Sequence, residues 1–309
     1  MRIASLRLTA LLACLGMIAP AHGPAAAEPA PQAALCGEGP LDILLTNDDG
    51  FEAAGIRALH AALKEAGHRV VLVAPAANAS GTSASFTWGQ VRVLRDPSDP
   101  SVFGVDGSPA TAVVLGATAL YPPGRRPDLV ISGINDGANT GSLLALSGTI
   151  GAALAGTMLL DPPVPGFAVN AQRPMAPGQA QALPGDHLQQ VARHLVRIVG
   201  TTRGWFCDRG QVSRATTVLN ANYPARPLSA TSGTRVAGQG RTTDLGLAFE
   251  PSGDDTYESR RGIQPDAPDA AESDNALLAR GYVTVTPIRA ELGGRDGPLR
   301  DLQHRLGRY

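Results

Sequence analysis

The chain has 309 residues, 43% of them hydrophobic and 17% charged, a composition typical of a globular protein with one or two domains. Lysine and arginine number 26 against 27 acidic residues, so bulk charge argues against nucleic-acid binding. Lys64 is the only lysine, which excludes a Gly-Lys-Ser/Thr phosphate loop. No Gly-x-Ser-x-Gly motif occurs, so the usual serine-hydrolase site is also excluded.

The N-terminus resembles a secretory signal peptide. Arg2 and Arg7 precede an apolar stretch over residues 8–21, and residues 25–27 are three alanines that suit a signal peptidase. The apolar stretch is too short to span a bilayer, so we expect no stable membrane span. We therefore expect residues 1–27 to be removed and the protein to be periplasmic or secreted.

Three further expectations concern Cys14, the segment that follows the signal peptide, and the two remaining cysteines. Lipid attachment at Cys14, which follows Leu-Leu-Ala, is the alternative to ordinary cleavage. Residues 28–40 are rich in proline and alanine and predict a flexible leader. Cys36 and Cys207 remain in the mature chain, where they either form a disulfide in the oxidising compartment or stay two unrelated buried thiols.

The hydrophobic pattern beyond the leader alternates between strands and helices. In chain order it predicts a strand at 41–45, a helix at 56–66, strands at 69–74 and 91–94, a helix at 110–120, a strand at 128–132, a helix at 149–160, a strand at 166–169, a loop at 172–185, a helix at 188–199, and strands at 216–220 and 281–287. This alternation predicts an α/β fold with a doubly wound, mostly parallel sheet.

The chain divides by composition near residue 225. Residues 41–224 carry the alternating pattern and form the predicted catalytic core. Residues 225–309 are assigned to the same domain: an extended arm or hairpin up to about Asp274, the returning strand, and a short helix at 299–306.

Three polar clusters follow predicted strands. They are Asn47-Asp48-Asp49-Gly50, Asn78-Ala79-Ser80-Gly81, and residues 132–139, which read Ser-Gly-Ile-Asn-Asp-Gly-Ala-Asn. Because ligands of doubly wound sheets bind at the carboxyl ends of the strands, the clusters predict one site.

Adjacent carboxylates raise each other's pKa unless a cation lies between them. Asp48 and Asp49, with the hydroxyl of Ser80 and the amide of Asn135, form an all-oxygen donor set that favours Mg²⁺ or Mn²⁺ over Zn²⁺. The alternative is that these residues serve only turns and helix caps.

A second feature is Ser147-Gly148-Thr149, directly before a predicted helix. Free N–H groups and hydroxyls at a helix N-terminus favour phosphate, although a plain N-cap has the same sequence. A metal site and a phosphate site together predict a phosphoester substrate. We also expect Asn47 and Asn139, which lie in the same clusters, to contact the substrate.

Six motifs in order resemble the SurE survival-protein family of 5′/3′-nucleotidases. They are ILLTNDDG at 43–50, APxxNxSG at 74–81, SGINDGANTG at 132–141, LSGTIGAAL at 146–154, LNANYP at 219–224 and GYVTVTP at 281–287. The resemblance implies a Rossmann-like, metal-dependent phosphatase of nucleoside monophosphates with one divalent cation per subunit. It assigns the ligands to Asp48, Asp49, Ser80 and Asn135, and implies homodimers or homotetramers that exchange arms.

The sequence departs from the family pattern at two places. Leu146 stands where a tyrosine usually precedes Ser-Gly-Thr, and Gly-Ser-Pro-Ala-Thr at 107–111 replaces Gly-Thr-Pro-x-Asp. Neither change removes a predicted ligand, but both bear on base stacking and substrate preference.

The expected reaction is direct hydrolysis, with Asp48 or Asp49 accepting the proton of the attacking water. Two alternatives are a metal-dependent nucleoside hydrolase, which would release free base, and a periplasmic nucleotide-binding module without turnover. The preferred base and the 5′ or 3′ position of the phosphate do not follow from the sequence.

Overall fold

The computed structural model describes residues 34–173, 184–242, 245–263 and 269–290. The signal peptide expected at 1–27, the leader up to residue 33, most of the predicted loop at 172–185 and the helix expected at 299–306 lie outside the described residues.

The described residues form thirteen strands and five α-helices. The strands are β1 (Asp42–Thr46), β2 (Arg69–Pro75), β3 (Val93–Arg95), β4 (Val102–Val105), β5 (Leu129–Asp136), β6 (Gly166–Ala171), β7 (Cys207–Asp208), β8 (Gln211–Val212), β9 (Val218–Tyr223), β10 (Thr234–Val236), β11 (Leu245–Gly253), β12 (Thr256–Ile263) and β13 (Val283–Ile288). The helices are α1 (Ala54–Glu65), α2 (Pro109–Leu115), α3 (Gly148–Met158), α4 (His187–Thr202) and α5 (Asp274–Ala279).

Nine strands form one sheet in the order β10-β13-β9-β6-β5-β1-β2-β4-β3. The six strands from β9 to β4 run parallel, whereas β13 pairs antiparallel with β9, and β3 pairs antiparallel with β4. The chain builds outward from β1 to β2 and β4, then returns to the other side of β1 with β5. The doubly wound, mostly parallel α/β fold is therefore confirmed, and its topological switch point lies between β1 and β5.

Helices cover both faces of the sheet. Ile43 and Leu45 of β1 join one core with the buried residues of α1 and α4, while Leu44 joins a second core with α2 and α3. Successive side chains of a strand point to opposite faces, so a central strand needs apolar residues at every position. This requirement explains the continuous apolar run at 43–45.

Short elements differ most from the sequence expectations. The helix expected at 110–120 ends at Leu115, and residues 116–120 continue as a single π-helical segment. Strand β4 was not predicted, because its four residues are too few to show a period, although all four are buried. Helix α5, capped by the hydroxyl of Ser273, lies where the sequence predicted the end of the arm and the segment following it.

The expected arm contains a hairpin. Strands β11 and β12 pair antiparallel with each other and form a sheet of their own, whereas β10 returns to the main sheet beside β13. Leu247, Phe249 and Tyr257 on the hairpin are exposed. In the part of the chain that the structure describes, no helix has the length and apolar character needed to cross a membrane.

Residues 34–40, which lead into β1, are fixed near the end of α4. Cys36 and Cys207 form a disulfide, so the first alternative is the one the structure has. Arg203 donates hydrogen bonds to the carbonyls of Ala34, Leu35 and Gly39, with 2.8 Å from its Nη1 to the oxygen of Gly39. Leu35 is fully buried in the core beneath α4.

Removal of the disulfide tests this attachment. Replacement of both Cys36 and Cys207 by alanine is expected to lower the free energy of unfolding by about 2–5 kcal/mol. The physical reason is that the bridge constrains two positions 171 residues apart in the unfolded chain. Urea unfolding measures the loss, and wild-type protein in excess dithiothreitol serves as the control. Equal midpoints for the oxidised wild type and the double variant would contradict the prediction.

Candidate active site

Asp48 connects the end of β1 to the N-terminus of α3. Its carboxylate is 3% exposed and accepts a hydrogen bond of 2.6 Å from the hydroxyl of Thr149. Burial raises the pKa of Asp48, and hydrogen bonds from the Thr149 hydroxyl and from the backbone of Thr149 and Gly148 act in the opposite direction. The carboxylate is therefore held at the positive end of a helix.

Asp49 faces the other side of the sheet edge. It accepts a hydrogen bond of 3.1 Å from the backbone N–H of Asp136 and one of 3.4 Å from the amide of Asn78. Burial, and then the negative charge of Asp48, raise the pKa of Asp49 to about 6. These contacts bring the three polar clusters of the sequence together around one pair of carboxylates.

Strand β5 extends further than the sequence indicated. It continues to Asp136, so Asn135 lies within the strand rather than after it. The side-chain Nδ2 of Asn135 donates to the carbonyl of Gly137 at 2.9 Å, which leaves Oδ1 as the atom not used in that bond. Ser80 is exposed on the loop after β2, and its N–H is bound by the side chain of Asn78.

The expected phosphate site is the N-terminus of α3. Ser147 is its N-cap and accepts from the N–H of Ile150 at 3.2 Å. Gly148 is the first helical residue, and a Cβ built there would lie 2.8 Å from both Cβ and Oδ2 of Asp48 and 3.2 Å from the carbonyl of Ala79. Only glycine permits this approach, so the helix, the aspartate and the loop that carries Ser80 meet at one point.

Asn47 and Asn139 have structural partners. Both amide atoms of Asn47 bond the backbone of Gly50, which shapes the turn that carries the two aspartates. Asn139 lies in a buried amide network: its Nδ2 donates to Asn170, and its carbonyl accepts from Asn220 and Asn222. Their proposed contacts with substrate stay predictions.

Sequence reasoning missed the group that holds the loop before α3. Asp274, fully buried at the start of α5, accepts from the N–H groups of Gly141 and Gly240. Asp274 lies in a segment of weak hydrophobic periodicity, so the sequence pattern did not indicate that it would be buried near the site. The amide network and Asp274 together fix residues 139–141, which lead to the phosphate site.

Sequence reasoning also missed a cavity of about 460 Å³ beside Asp49. Arg173, which pairs with Asp136, and His187 are among its lining residues. His187 is 5% exposed, neither ring nitrogen has a hydrogen-bond partner among the described residues, and burial lowers its pKa. His187 follows no predicted strand, so the sequence pattern did not indicate it. Residues 172 and 173 do follow the carboxyl end of β6, where ligands of such sheets bind.

The donor set fits a hard cation. The two carboxylates are held as neighbours, and burial together with the charge of Asp48 disfavours the ionised form of Asp49 unless positive charge is supplied. The remaining candidate donors are oxygens, which suit Mg²⁺ or Mn²⁺. Among the described residues, no three His, Cys, Asp or Glu side chains are arranged to hold a metal ion by themselves, and the candidate donor set is a mixed one of carboxylates, hydroxyl and amide.

Fold and site together define a class: a Rossmann-like α/β protein with two adjacent carboxylates at the switch point, one of which contacts a helix N-terminus. The profile of the family described as Survival protein SurE matches residues 43–244. The chain belongs to the SurE family, as the six motifs indicated, and the expectation of a phosphoric monoester hydrolase is confirmed at the level of this family.

Named relatives match over most of the chain. It is 38% identical to a 5′-nucleotidase SurE of Desulfovibrio desulfuricans, over 83% of this chain and 96% of that one. It is 35% identical to a 5′/3′-nucleotidase SurE of Yersinia enterocolitica, over 82% of this chain and 92% of that one. A crystal structure of the SurE protein from Aquifex aeolicus superposes with a TM-score of 0.66 at 28% identity, covering 86% of this chain and 99% of that one.

Gly148→Ala tests the contact between Asp48 and α3. The added methyl group must displace the Asp48 carboxylate or the helix, so we expect phosphatase activity to fall at least about tenfold, about 1.4 kcal/mol of transition-state stabilisation. Phosphate release and thermal midpoint are measured on the same preparation.

Gly200→Ala is the matched control, because a Cβ at this exposed position of α4 meets no atom within 4 Å. It should leave activity unchanged and raise stability by about 0.5–1 kcal/mol. Full activity of Gly148→Ala would show that the close approach at Asp48 is not needed for turnover.

Proposed function

We propose that this chain hydrolyses nucleoside 5′- or 3′-monophosphates to nucleoside and phosphate. The observation that carries the proposal is the pair Asp48 and Asp49 at the switch point, with Asp48 bound to the first turn of α3. A phosphate group at that helix N-terminus would lie next to the Asp48 carboxylate. The names of the relatives from Desulfovibrio and Yersinia agree with this substrate class.

The chain's own residues supply binding and proton transfer. The N–H groups of Gly148 and Thr149 and the Thr149 hydroxyl bind the Asp48 carboxylate and hold it at the N-terminus of α3. The Ser147 hydroxyl at the same helix end is the donor that we assign to the phosphoryl oxygens, where it stabilises the negative charge that grows in the transition state. Asp48 is buried, and its carboxylate already accepts a hydrogen bond from Thr149. Asp49 is partly exposed and borders the cavity. Asp49 is therefore the carboxylate that receives the proton of the attacking water.

We assign a divalent cation, Mg²⁺ or Mn²⁺, to Asp48, Asp49, Ser80 and Asn135, one ion per subunit. Such an ion supplies Lewis acidity, which polarises phosphoryl oxygens and favours the ionisation of water. Asp48 and Asp49 contribute the negative charge, and the hydrogen bond to Gly137 orients the Asn135 amide.

We further propose that the protein acts outside the cytoplasm. The N-terminal charge and apolar pattern supports export, and the disulfide between Cys36 and Cys207 suits an oxidising compartment. The hairpin of β11 and β12, with exposed Leu247, Phe249 and Tyr257, supports assembly into a homodimer or homotetramer.

Asp49→Asn tests the proposed role of the carboxylate pair. The change is nearly isosteric but removes a negative charge and a proton acceptor, so phosphate release from nucleotides should fall at least about a hundredfold, about 2.7 kcal/mol. The assay follows phosphate and free base together, because release of base would identify a nucleoside hydrolase instead.

Asp208→Asn is the matched control, since this exposed aspartate lies on the short β7–β8 hairpin, which is separate from the main sheet and directly follows the disulfide cysteine Cys207. It should retain wild-type turnover. A folded Asp49→Asn protein with near wild-type turnover in the presence of Mn²⁺ would mean that the site is assigned wrongly.

Intact-mass measurement of protein from the periplasm tests export. We expect a mature chain that begins at Glu28, because the three alanines at 25–27 fit signal peptidase. A mass that retains Met1, or one that carries a diacylglycerol on Cys14, would overturn this expectation.

A further inference from the structure

Trp88 is the most exposed large apolar side chain among the described residues, at 85%. Its ring contacts that of Phe86, with centroids 5.0 Å apart and planes inclined at 59°. Within the described part of the chain, neither ring belongs to a hydrophobic core cluster. Packing of the fold therefore gives no reason for an aromatic pair at this position.

The loop that carries the pair is fixed at one end to the phosphate site. Ser83 donates its N–H to the carbonyl of Leu146 at 3.2 Å and its hydroxyl to the carbonyl of Ala145 at 2.8 Å. The Ser83 carbonyl would lie 2.2 Å from a Cβ at Gly151, so the loop lies directly against the first turn of α3. Ser83 thus adjoins the segment that ends in Ser147.

The same loop is fixed at its other end to α2. Thr87 donates its N–H to the hydroxyl of Thr111 at 2.8 Å and accepts from the N–H of Ser108 at 3.0 Å. The hydroxyl of Ser108 donates to the carbonyl of Ser85 at 2.6 Å. Residues 83 and 87 are four apart, so the two attachment points are at most about 14 Å apart.

The phosphate site and the aromatic pair lie on the same side of the sheet. Helices α2 and α3 pack together on one face, and residues 83–87 bridge their N-termini. The cavity beside Asp49 lies instead against α1 and α4. A nucleotide whose phosphate is bound at α3 can therefore extend along the bridging loop towards Trp88.

We propose that Trp88, supported by Phe86, stacks on the base of the nucleotide and determines the preference for nucleotides over other phosphate esters. The inference rests on the proposed nucleotidase function and adds the base-binding residue. An aromatic ring on an anchored loop loses little freedom on binding, and its π face accepts any base.

Substrate comparison tests the kinetic consequence. Trp88→Ala should lower the ratio of kcat/KM for adenosine 5′-monophosphate to kcat/KM for ribose 5-phosphate at least about tenfold, mainly through KM, because base stacking is lost. Trp88→Phe, which keeps a π face, should retain the ratio within about threefold. An unchanged ratio in Trp88→Ala would overturn the proposal.

Tryptophan fluorescence provides a second test that needs no turnover. Trp205 is the only other tryptophan and lies beside the disulfide, so Trp205→Phe leaves Trp88 as the single reporter and should retain activity. Adenosine should quench this fluorescence with saturation, and ribose should not. No response to adenosine would contradict stacking on Trp88. A base that binds in the cavity near His187 instead would give this negative result.

The outcomes separate this inference from the function on which it rests. Wild-type protein that releases phosphate from nucleotides, with an unchanged substrate ratio in Trp88→Ala, contradicts stacking alone. Wild-type protein that hydrolyses no nucleotide contradicts the proposed function, and the adenosine titration still decides whether Trp88 binds a base. Dissociation of an oligomer in Trp88→Ala would assign the ring to a contact between copies and overturn the proposal.

Discussion

The buried hydrogen bond between Asp48 and Thr149 is the contact on which the site depends. It joins the central strand to the helix N-terminus expected to bind phosphate, and it places a carboxylate where the helix dipole stabilises negative charge. Gly148 is a condition for it, because any side chain there would occupy the space of the carboxylate. The turn shaped by Asn47 holds Asp48, and the loop held by Asp274 leads to the helix that carries Thr149.

The two aspartates are adjacent in sequence but serve opposite faces of the sheet. Asp48 contacts α3, while Asp49 borders the cavity against α1 and α4. The division arises in the turn after β1, which Asn47 closes onto Gly50. It separates the roles that we propose: Asp48 belongs with phosphate binding at the helix, and Asp49 with the water that enters from the other side.

Sequence patterns predicted the sheet core and the residues gathered at its edge, because buried parallel strands are continuous apolar runs and ligands bind at their carboxyl ends. They did not predict β4 or α5, which are too short to show a period, or the end of β5 at Asp136. Asp274 and His187 reach the site region from distant segments, and only tertiary packing brings them there. An extended arm or hairpin was predicted for this segment, but its strands β11 and β12 and their pairing were not.

The central claim is that the carboxylate pair holds a divalent cation beside bound phosphate. Metal-stripped protein, assayed for phosphate release from adenosine 5′-monophosphate before and after titration with Mn²⁺ or Mg²⁺, tests it most directly. The account predicts that activity is lost with EDTA and returns in full when one ion per subunit has bound. Full activity in excess EDTA, with no ion remaining by elemental analysis, would contradict it.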